Sequence, residues 1–545
     1  MVRNLLVLLG AVSLLAACAN DPASIAATTA EYKGSLGKAD ASAEASFVRF
    51  EFDAQLFTST CWSTKNTIQD QLLFTIGQLN GEKSLGRLDH LDLTGIKTEN
   101  VAGGCKISYH ARMPVAWNKR NALPASYELL LPRDVTYEGQ QRFTDAYKGS
   151  CVEWGAHDVD TGSMWYYYRP RLSGCKLADA DLFRAKATIS PSPLQTSGKY
   201  PEYHKVWEDD ALNVVAIFGK YEDGATSGDA GIDGYNRFVQ AVRDELKQYS
   251  VTTVPANVPK NPGVAASDVV FSANLPEGRR IQVVALLVDN VRTAGAAFDK
   301  RYEDLSTAAD LIVYNGHAGL GANIRALAQK GKWKAGQYVI SFMNGCDSYA
   351  YIDSALAEAH ADVNADDSIG TKYVDLVANA EPSFFVSMPG ATMAMITGLL
   401  DWDAPKTYEQ IFGGVDSAEV VLVTGEQDNV YVPGYPDGGG TGPADAAWAG
   451  LSESGTVARH DERRFETPTL APGRYRFALS GNGDADLYVR TGDAPGLDLY
   501  DCRPYLTGSG EACDVNLGTA AAIHVMVVGY AATSSFKLVG ATVTE

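Results

Sequence analysis

Two reactive side chains stand just beyond apolar runs. His317 follows Leu311-Ile312-Val313-Tyr314-Asn315-Gly316, and Cys346 follows Tyr338-Val339-Ile340-Ser341-Phe342-Met343-Asn344-Gly345. A thiol becomes a strong nucleophile when an imidazole can take its proton. The carbonyl it attacks then needs N–H donors for the oxygen that gains charge. Glycines flank both residues (Gly316, Gly319 and Gly345) and permit sharp turns and close approach of a substrate. The competing reading is an inert buried cysteine and a histidine that merely hydrogen-bonds its own loop. The other cysteines stand at 18, 61, 105, 151, 175, 502 and 513, which leaves Cys346 without an obvious partner. A lone cysteine in a chain whose other cysteines can pair is a candidate reactive thiol.

A site of this kind needs a frame that brings the two residues together. Residues 206–429 alternate between apolar runs and helix-like stretches. Leu212 to Phe218, Ile281 to Val288, Leu311 to Tyr314 and Tyr338 to Met343 read as strands covered on both faces. Phe384-Phe385-Val386 and Val420 to Val423 read as further strands. After a glycine-rich loop over 223–234, Tyr235, Phe238, Val239, Val242, Leu246 and Tyr249 lie on one helical face, and Phe298 to Ala309 reads as a second helix. Strands alternating with helices imply a mostly parallel sheet with helices on both faces. Reactive groups in such sheets lie beyond the carboxyl ends of the strands. His317 and Cys346 occupy those positions on consecutive strands.

On these residues the segment from Glu208 to Asp428 resembles the caspase-like cysteine peptidases, the clan of metacaspases, legumains, clostripain and gingipains. The resemblance implies a caspase-like α/β/α sheet domain with His317 as base and Cys346 as nucleophile. It further implies that the N–H groups of Ala318 and Cys346 hold the oxyanion, and that no cofactor is needed. Two departures stand out. Ala318 replaces the usual glycine and would be strained at positive φ. Asn344 stands where metacaspases carry an aspartate that helps recognise a basic side chain, which weakens the case for Arg or Lys specificity.

The first residues concern location. Arg3 precedes an apolar stretch from Leu5 to Leu15, too short to span a bilayer but suited to a signal-peptide core. Leu15-Ala16-Ala17-Cys18 resembles the lipobox of bacterial lipoproteins. That resemblance implies removal of residues 1–17 and acylation of Cys18, with anchoring by several acyl chains in membrane lipid. Ala19 is not an aspartate, which by the same analogy favours the outer membrane and a periplasmic or cell-surface location. Residues 18–45, rich in Ala, Ser and Thr, read as a flexible tether.

Residues 46–205 read as a strand-rich domain with disulfides. Phe47 to Phe52, Ser126 to Leu131 and Phe183 to Ile189 carry strand patterns. Four cysteines allow three pairings, and proximity favours Cys61–Cys105 and Cys151–Cys175. The aromatic run Met164-Trp165-Tyr166-Tyr167-Tyr168-Arg169 is either a ligand surface or, more commonly, a strand with one face in the core. His157 sits between acidic neighbours without a second histidine, a poor metal set. Asp362-Val363-Asn364-Ala365-Asp366-Asp367 begins like a calcium loop but lacks its glycine and closing glutamate, so it reads as a solvated loop. No metal site is expected.

Residues 430–450 form a Gly/Pro linker. Residues 451–545 alternate as the short strands of a β-sandwich do. Here Leu470-Ala471-Pro472-Gly473-Arg474-Tyr475, Gly483 to Arg490, the Cys502 and Cys513 segments and Gly529-Tyr530 resemble a bacterial pre-peptidase C-terminal domain. That family is appended to secreted peptidases and carries no catalytic residue. Cys502 and Cys513 are close enough to pair, with a gain of roughly 2–3 kcal/mol.

The chain has 545 residues and a net charge of −20. Nucleic acid is an improbable partner for so acidic a surface. A protein or peptide substrate is expected, and oligomeric state is open. Two functions therefore compete: a lipid-anchored cysteine peptidase, and an inactive surface or adhesion lipoprotein that binds protein or glycan.

Overall fold

The computed structural model describes residues 39–542, apart from 157, 427–428, 430, 432, 434–447, 449, 471–472, 498 and 518–520. The proposed signal and Cys18, His157 and most of the 430–450 linker lie outside the described residues. The described chain is mixed α/β and β, with several sheets.

The first sheet contains β1 (Ala45–Thr58), β2 (Leu85–Gly86), β3 (Asp92–Val101), β4 (Gly104–Asn118), β5 (Ser126–Pro132) and β6 (Leu182–Pro191), in the order β2-β4-β1-β6-β5 with β3 paired to β4. β1 buries Phe50, Phe52, Ala54 and Leu56 at alternate positions, as a strand with one core face does. The helix Thr64–Asn80 packs across this sheet. Its apolar stripe is interrupted by two buried glutamines, which is why periodicity does not reveal it. Gln71 donates to the carbonyls of Gln55 (3.0 Å) and Pro132 (2.6 Å), and Gln78 to that of Glu128 (2.8 Å). Buried amides are tolerated when their bonds are made. The aromatic run is not a strand. Met164–Tyr167 is a short helix, and it lies so close to Thr64–Asn80 that a Cβ on Gly77 would come 2.3 Å from the Trp165 carbonyl. Cys61–Cys105 and Cys151–Cys175 are both formed.

The second sheet contains β7 (Ala211–Gly219), β8 (Val251–Val254), β9 (Asp268–Asn274), β10 (Arg280–Val288), β11 (Leu311–Asn315), β12 (Val339–Asn344), β13 (Val374–Asn379) and β14 (Val421–Gly425). Its order is β14-β13-β12-β11-β7-β10-β9-β8. β10, β7, β11, β12 and β13 run parallel; β9 and β14 are antiparallel to their neighbours β10 and β13. Both faces are buried. In β7, Leu212, Val214, Ala216 and Phe218 face one core and Val215 and Ile217 the other. The helices Ala230–Leu246 and Met388–Leu400 cover the first face. The expected loop over 223–234 is thus shorter than its glycines suggest, because Asp229 caps the helix by accepting from the Gly231 and Ile232 N–H groups. The second face shares one continuous core with the first sheet.

Two further expectations are corrected. Phe384-Phe385-Val386 is a loop leading into Met388–Leu400, and β13 supplies the strand instead. Ala39 to Ser42 are buried, so the tether does not extend through them: Ala41 pairs with Val423 of β14, and Asp40 accepts from the Thr424 hydroxyl at 2.7 Å. The 362–367 loop closes on itself, with Asp367 accepting from the Gly370 and Lys372 N–H groups, both at 2.9 Å.

The last residues form two antiparallel sheets that share one core. One contains β15 (Leu451–Ala458), β17 (Gly473–Asn482), β19 (Glu511–Leu517) and β21 (Thr533–Thr542); the other contains β16 (Glu462–Glu466), β18 (Ala485–Thr491) and β20 (Ile523–Gly529). Cys502–Cys513 is formed, Asp484 accepts from the Gly508 N–H (2.7 Å), and Asp486 pairs with Arg503 (3.0 Å).

One buried group makes the α/β region sensitive to acid. His360 is fully buried against Trp333, with neither ring nitrogen hydrogen-bonded, and burial holds its pKa down to about 4 from 6.5. The unfolded chain takes up this proton below 6.5, whereas the folded chain resists until about 4. Stability is therefore full above that window and falls as pH drops through it, by up to about 3 kcal/mol. Melting curves at pH 7 and pH 4.5 should show a smaller acid loss in His360→Leu than in wild type. Equal losses in both would contradict this account.

Candidate active site

β11 and β12 pair in parallel, with Asn315 opposite Asn344. His317 and Cys346 each lie two residues beyond these partners, so both sit at the carboxyl edge of adjacent strands. The two loops are fastened together. The Gly316 N–H donates to the Asn344 carbonyl at 3.2 Å. A Cβ on Gly345 would meet the Gly316 carbonyl oxygen at 2.7 Å and the Ala318 nitrogen at 3.3 Å. Only glycine permits this approach.

Asn344 explains its own departure from the metacaspase pattern. It is fully buried, donates to the Asn315 side chain at 2.8 Å and accepts from the Ser383 hydroxyl at 2.8 Å. Its amide ties strand ends together and offers nothing to a substrate. Ala318 sits without strain, since the left-handed residues of its loop are Gly319, Leu320 and Gly321. The His317 carbonyl is held by the Tyr314 hydroxyl (2.9 Å) and the Asn323 amide (2.8 Å), which fixes the loop.

The imidazole is oriented by a group that sequence reading missed. His317 Nε2 lies 3.1 Å from the Tyr221 carbonyl oxygen. A carbonyl only accepts, so Nε2 carries the proton and Nδ1 is left as the basic nitrogen. Tyr221 follows β7, the other neighbour of β11, so the strand-end rule could have found it. The Tyr221 and Phe385 rings each lie 5.1 Å from the imidazole.

Cys346 is partly exposed, and its thiol donates to the Ser383 carbonyl at 3.4 Å. Burial pushes the thiol pKa up to about 12, and the neighbouring Asp347 charge pushes the same way. At rest this is a neutral thiol. Residues 383–385 span the two groups, because Ser383 touches the sulfur and Phe385 the imidazole. Asp347 is in the left-handed region (φ 52°), buried, and accepts from the Asn80 amide at 2.6 Å. Burial pushes its pKa up to about 7, while Arg169 and the Tyr166 hydroxyl act in the opposite direction. Tyr166 and Tyr167 are themselves within electrostatic reach of Cys346, and Trp165 packs 6.4 Å from Tyr351. The aromatic run thus packs beside Asp347 and Tyr351, on the side of the thiol away from His317's aromatic neighbours.

No family model matches the chain. Short stretches resemble curated peptidases. The chain is 43% identical over 58 residues to a virulence metalloprotease of Vibrio anguillarum, covering 11% of this chain and 10% of that protein. It is 43% identical over 58 residues to a zinc metalloprotease of Helicobacter pylori, covering 11% and 23%. An alkaline serine exoprotease A of Vibrio alginolyticus matches at 43% over 58 residues, covering 11% and 11%. The chain therefore spans less than a quarter of the length of these relatives. Among solved structures, one described as the solution structure of vEP C-ter 100 is 32% identical, covers 16% of this chain and 88% of that one, and has a TM-score of 0.15. So low a score carries no weight for the fold.

Proposed function

We propose that this chain is an exported, lipid-anchored cysteine peptidase that uses a Cys346–His317 dyad in a caspase-like α/β domain. One observation carries the reading. His317 and Cys346 end adjacent parallel strands, and the Tyr221 carbonyl fixes the imidazole tautomer that leaves Nδ1 basic. A carbonyl that orients the base is the third member that nucleophile–base pairs require.

In the proposed mechanism a peptide carbonyl binds against the N–H groups of Ala318 and Cys346. The thiol proton passes to His317 Nδ1 and sulfur bonds to the carbonyl carbon. The oxyanion rests on the two N–H donors. Imidazolium then gives its proton to the departing amine as the C–N bond breaks. Water, deprotonated by His317, cleaves the thioester and restores the thiol. Residues 1–18 support an acylated anchor in the outer membrane. Matches of 58 residues with peptidases named for both zinc and serine chemistry support an appended module rather than a shared catalytic centre. An appended module is also what the resemblance of residues 451–545 to a pre-peptidase C-terminal domain implies.

A second reading, the inactive binding lipoprotein, is favoured by one feature: the thiol donates to Ser383 rather than to His317, and burial holds it neutral. Alkylation separates the two. In the peptidase, a thiol-reactive peptidyl probe labels Cys346 at least about tenfold faster in wild type than in His317→Ala, since the base is needed once substrate fills the cleft. Equal slow labelling in both proteins would favour the scaffold. Simple iodoacetamide, which brings no peptide, should react slowly at neutral pH and faster as pH rises toward 10, because the resting thiol is protonated.

A further inference from the structure

The N-terminal sheet region and the α/β region share one apolar core, so their interface is not a loose docking surface. Its edge at the thiol is held by polar contacts. Asn80 donates to Asp347 (2.6 Å), Arg169 donates to Asn80 (2.5 Å), and Asn118 donates to Glu381 (3.1 Å). On the Cys346 side, this edge contributes the partly exposed rings of Tyr166, whose hydroxyl bonds the carboxylate of Asp347, and of Tyr167, 5.0 Å from the Tyr166 ring. On the His317 side stand Tyr221 (52% exposed), Phe384 (51%) and Val386 (68%), with Phe385 between them and the imidazole. Exposed aromatic side chains gathered at a reactive pair are a recognition surface rather than ordinary surface.

The charges close to the thiol are not available to a ligand. Asp347 (1% exposed) and Glu419 (2%) are the acids acting on Cys346. Asp347 is bound to Asn80, and Glu419 accepts from the Phe384 N–H at 3.1 Å and from the Ser387 hydroxyl. Arg169 is buried against Glu153 and Asn80, and Lys220 pairs with Asp289. Arg237 lies at the rim and donates to the Phe385 carbonyl at 3.1 Å. A charged side chain entering beside Cys346 would lose water and meet no unpaired charge among Asp347, Glu419, Arg169 and Lys220.

Resting on the peptidase reading, we propose that the N-terminal region completes the cleft, with Tyr166 and Tyr167 selecting peptides whose residue next to the scissile bond is bulky and apolar or aromatic. Tyr221 and Phe384 serve the same selection from the His317 side. The aromatic run thereby acquires a role as a specificity-determining wall.

The test uses the full chain and four peptidyl acyloxymethyl ketone probes that differ only in the residue beside the reactive group: Phe, Ala, Arg or Asp. The readout is the second-order rate of labelling at Cys346. Wild type should label the Phe probe fastest, by about tenfold or more over Ala, the span a hydrophobic pocket supplies. Tyr167→Ala should pull the Phe-to-Ala ratio toward one, Tyr167→Phe should retain it, and Phe384→Ala, at an exposed position, should also lower it. A faster Arg or Asp probe would overturn the inference, as would a Phe preference untouched by both alanine variants. If no probe labels wild type faster than His317→Ala, the peptidase reading itself fails and the cleft loses its occupant.

Discussion

Replacing Cys346 with alanine is expected to lower kcat/KM for peptide hydrolysis by roughly four orders of magnitude or more, and His317→Ala by a comparable factor. Without sulfur there is no acyl-enzyme, and without Nδ1 nothing takes the thiol proton from a group that burial keeps neutral. The double variant should be hardly worse than either single one, because nucleophile and base act as a unit. What remains is the contribution of the oxyanion donors and of binding, which both variants keep. The measurement is steady-state cleavage of the best peptide found by screening, by the full chain and the three variants. Verified cleavage that survives both single changes would place the chemistry elsewhere. Additive losses would mean that the two residues do not work together.

The largest stability effect is expected at Lys199 and Asp375. Both side chains are fully buried and lie 2.5 Å apart. Asp375 also accepts from the hydroxyls of Tyr338 (2.7 Å) and Tyr408 (2.6 Å), and Lys199 donates to the carbonyls of Glu426 (2.9 Å) and Ala39 (3.2 Å). The pair thus pins β13 to the segment before β7 and to the chain after β14. Lys199→Met strands a buried carboxylate, a change that costs about 3–5 kcal/mol. The first thermal transition should fall by on the order of 10 °C. Lys199→Met combined with Asp375→Leu should recover part of the loss, since the cost of a broken pair lies in the charge left behind. A shift of the single variant within about 1 kcal/mol, the size of an ordinary surface change, would refute this account. β13 runs directly into the loop that holds Ser383 and Phe385, so the same variant should also weaken labelling of Cys346.

By itself the sequence determined the elements with one-dimensional signatures. Continuous apolar runs gave β7, β10, β11 and β12, because strands covered on both faces have no polar side to hide. His317 and Cys346 followed as strand-end residues, and short separations sufficed to pair the six disulfide cysteines. Other elements were masked by local chemistry. Asp375 interrupts β13, buried glutamines interrupt the helix Thr64–Asn80, and the apolar Phe384-Phe385-Val386 imitates a strand although it is a partly exposed loop beside His317. Only the tertiary structure decided that the Tyr221 carbonyl meets the imidazole, that Asn344 is spent on strand ends and that the aromatic run packs beside Asp347 and Tyr351. Periodicity reports which residues are buried along one element. It contains no information on which loops of distant elements meet at a sheet edge, because strand order and the packing of one region on another are set by the summed burial of the whole chain.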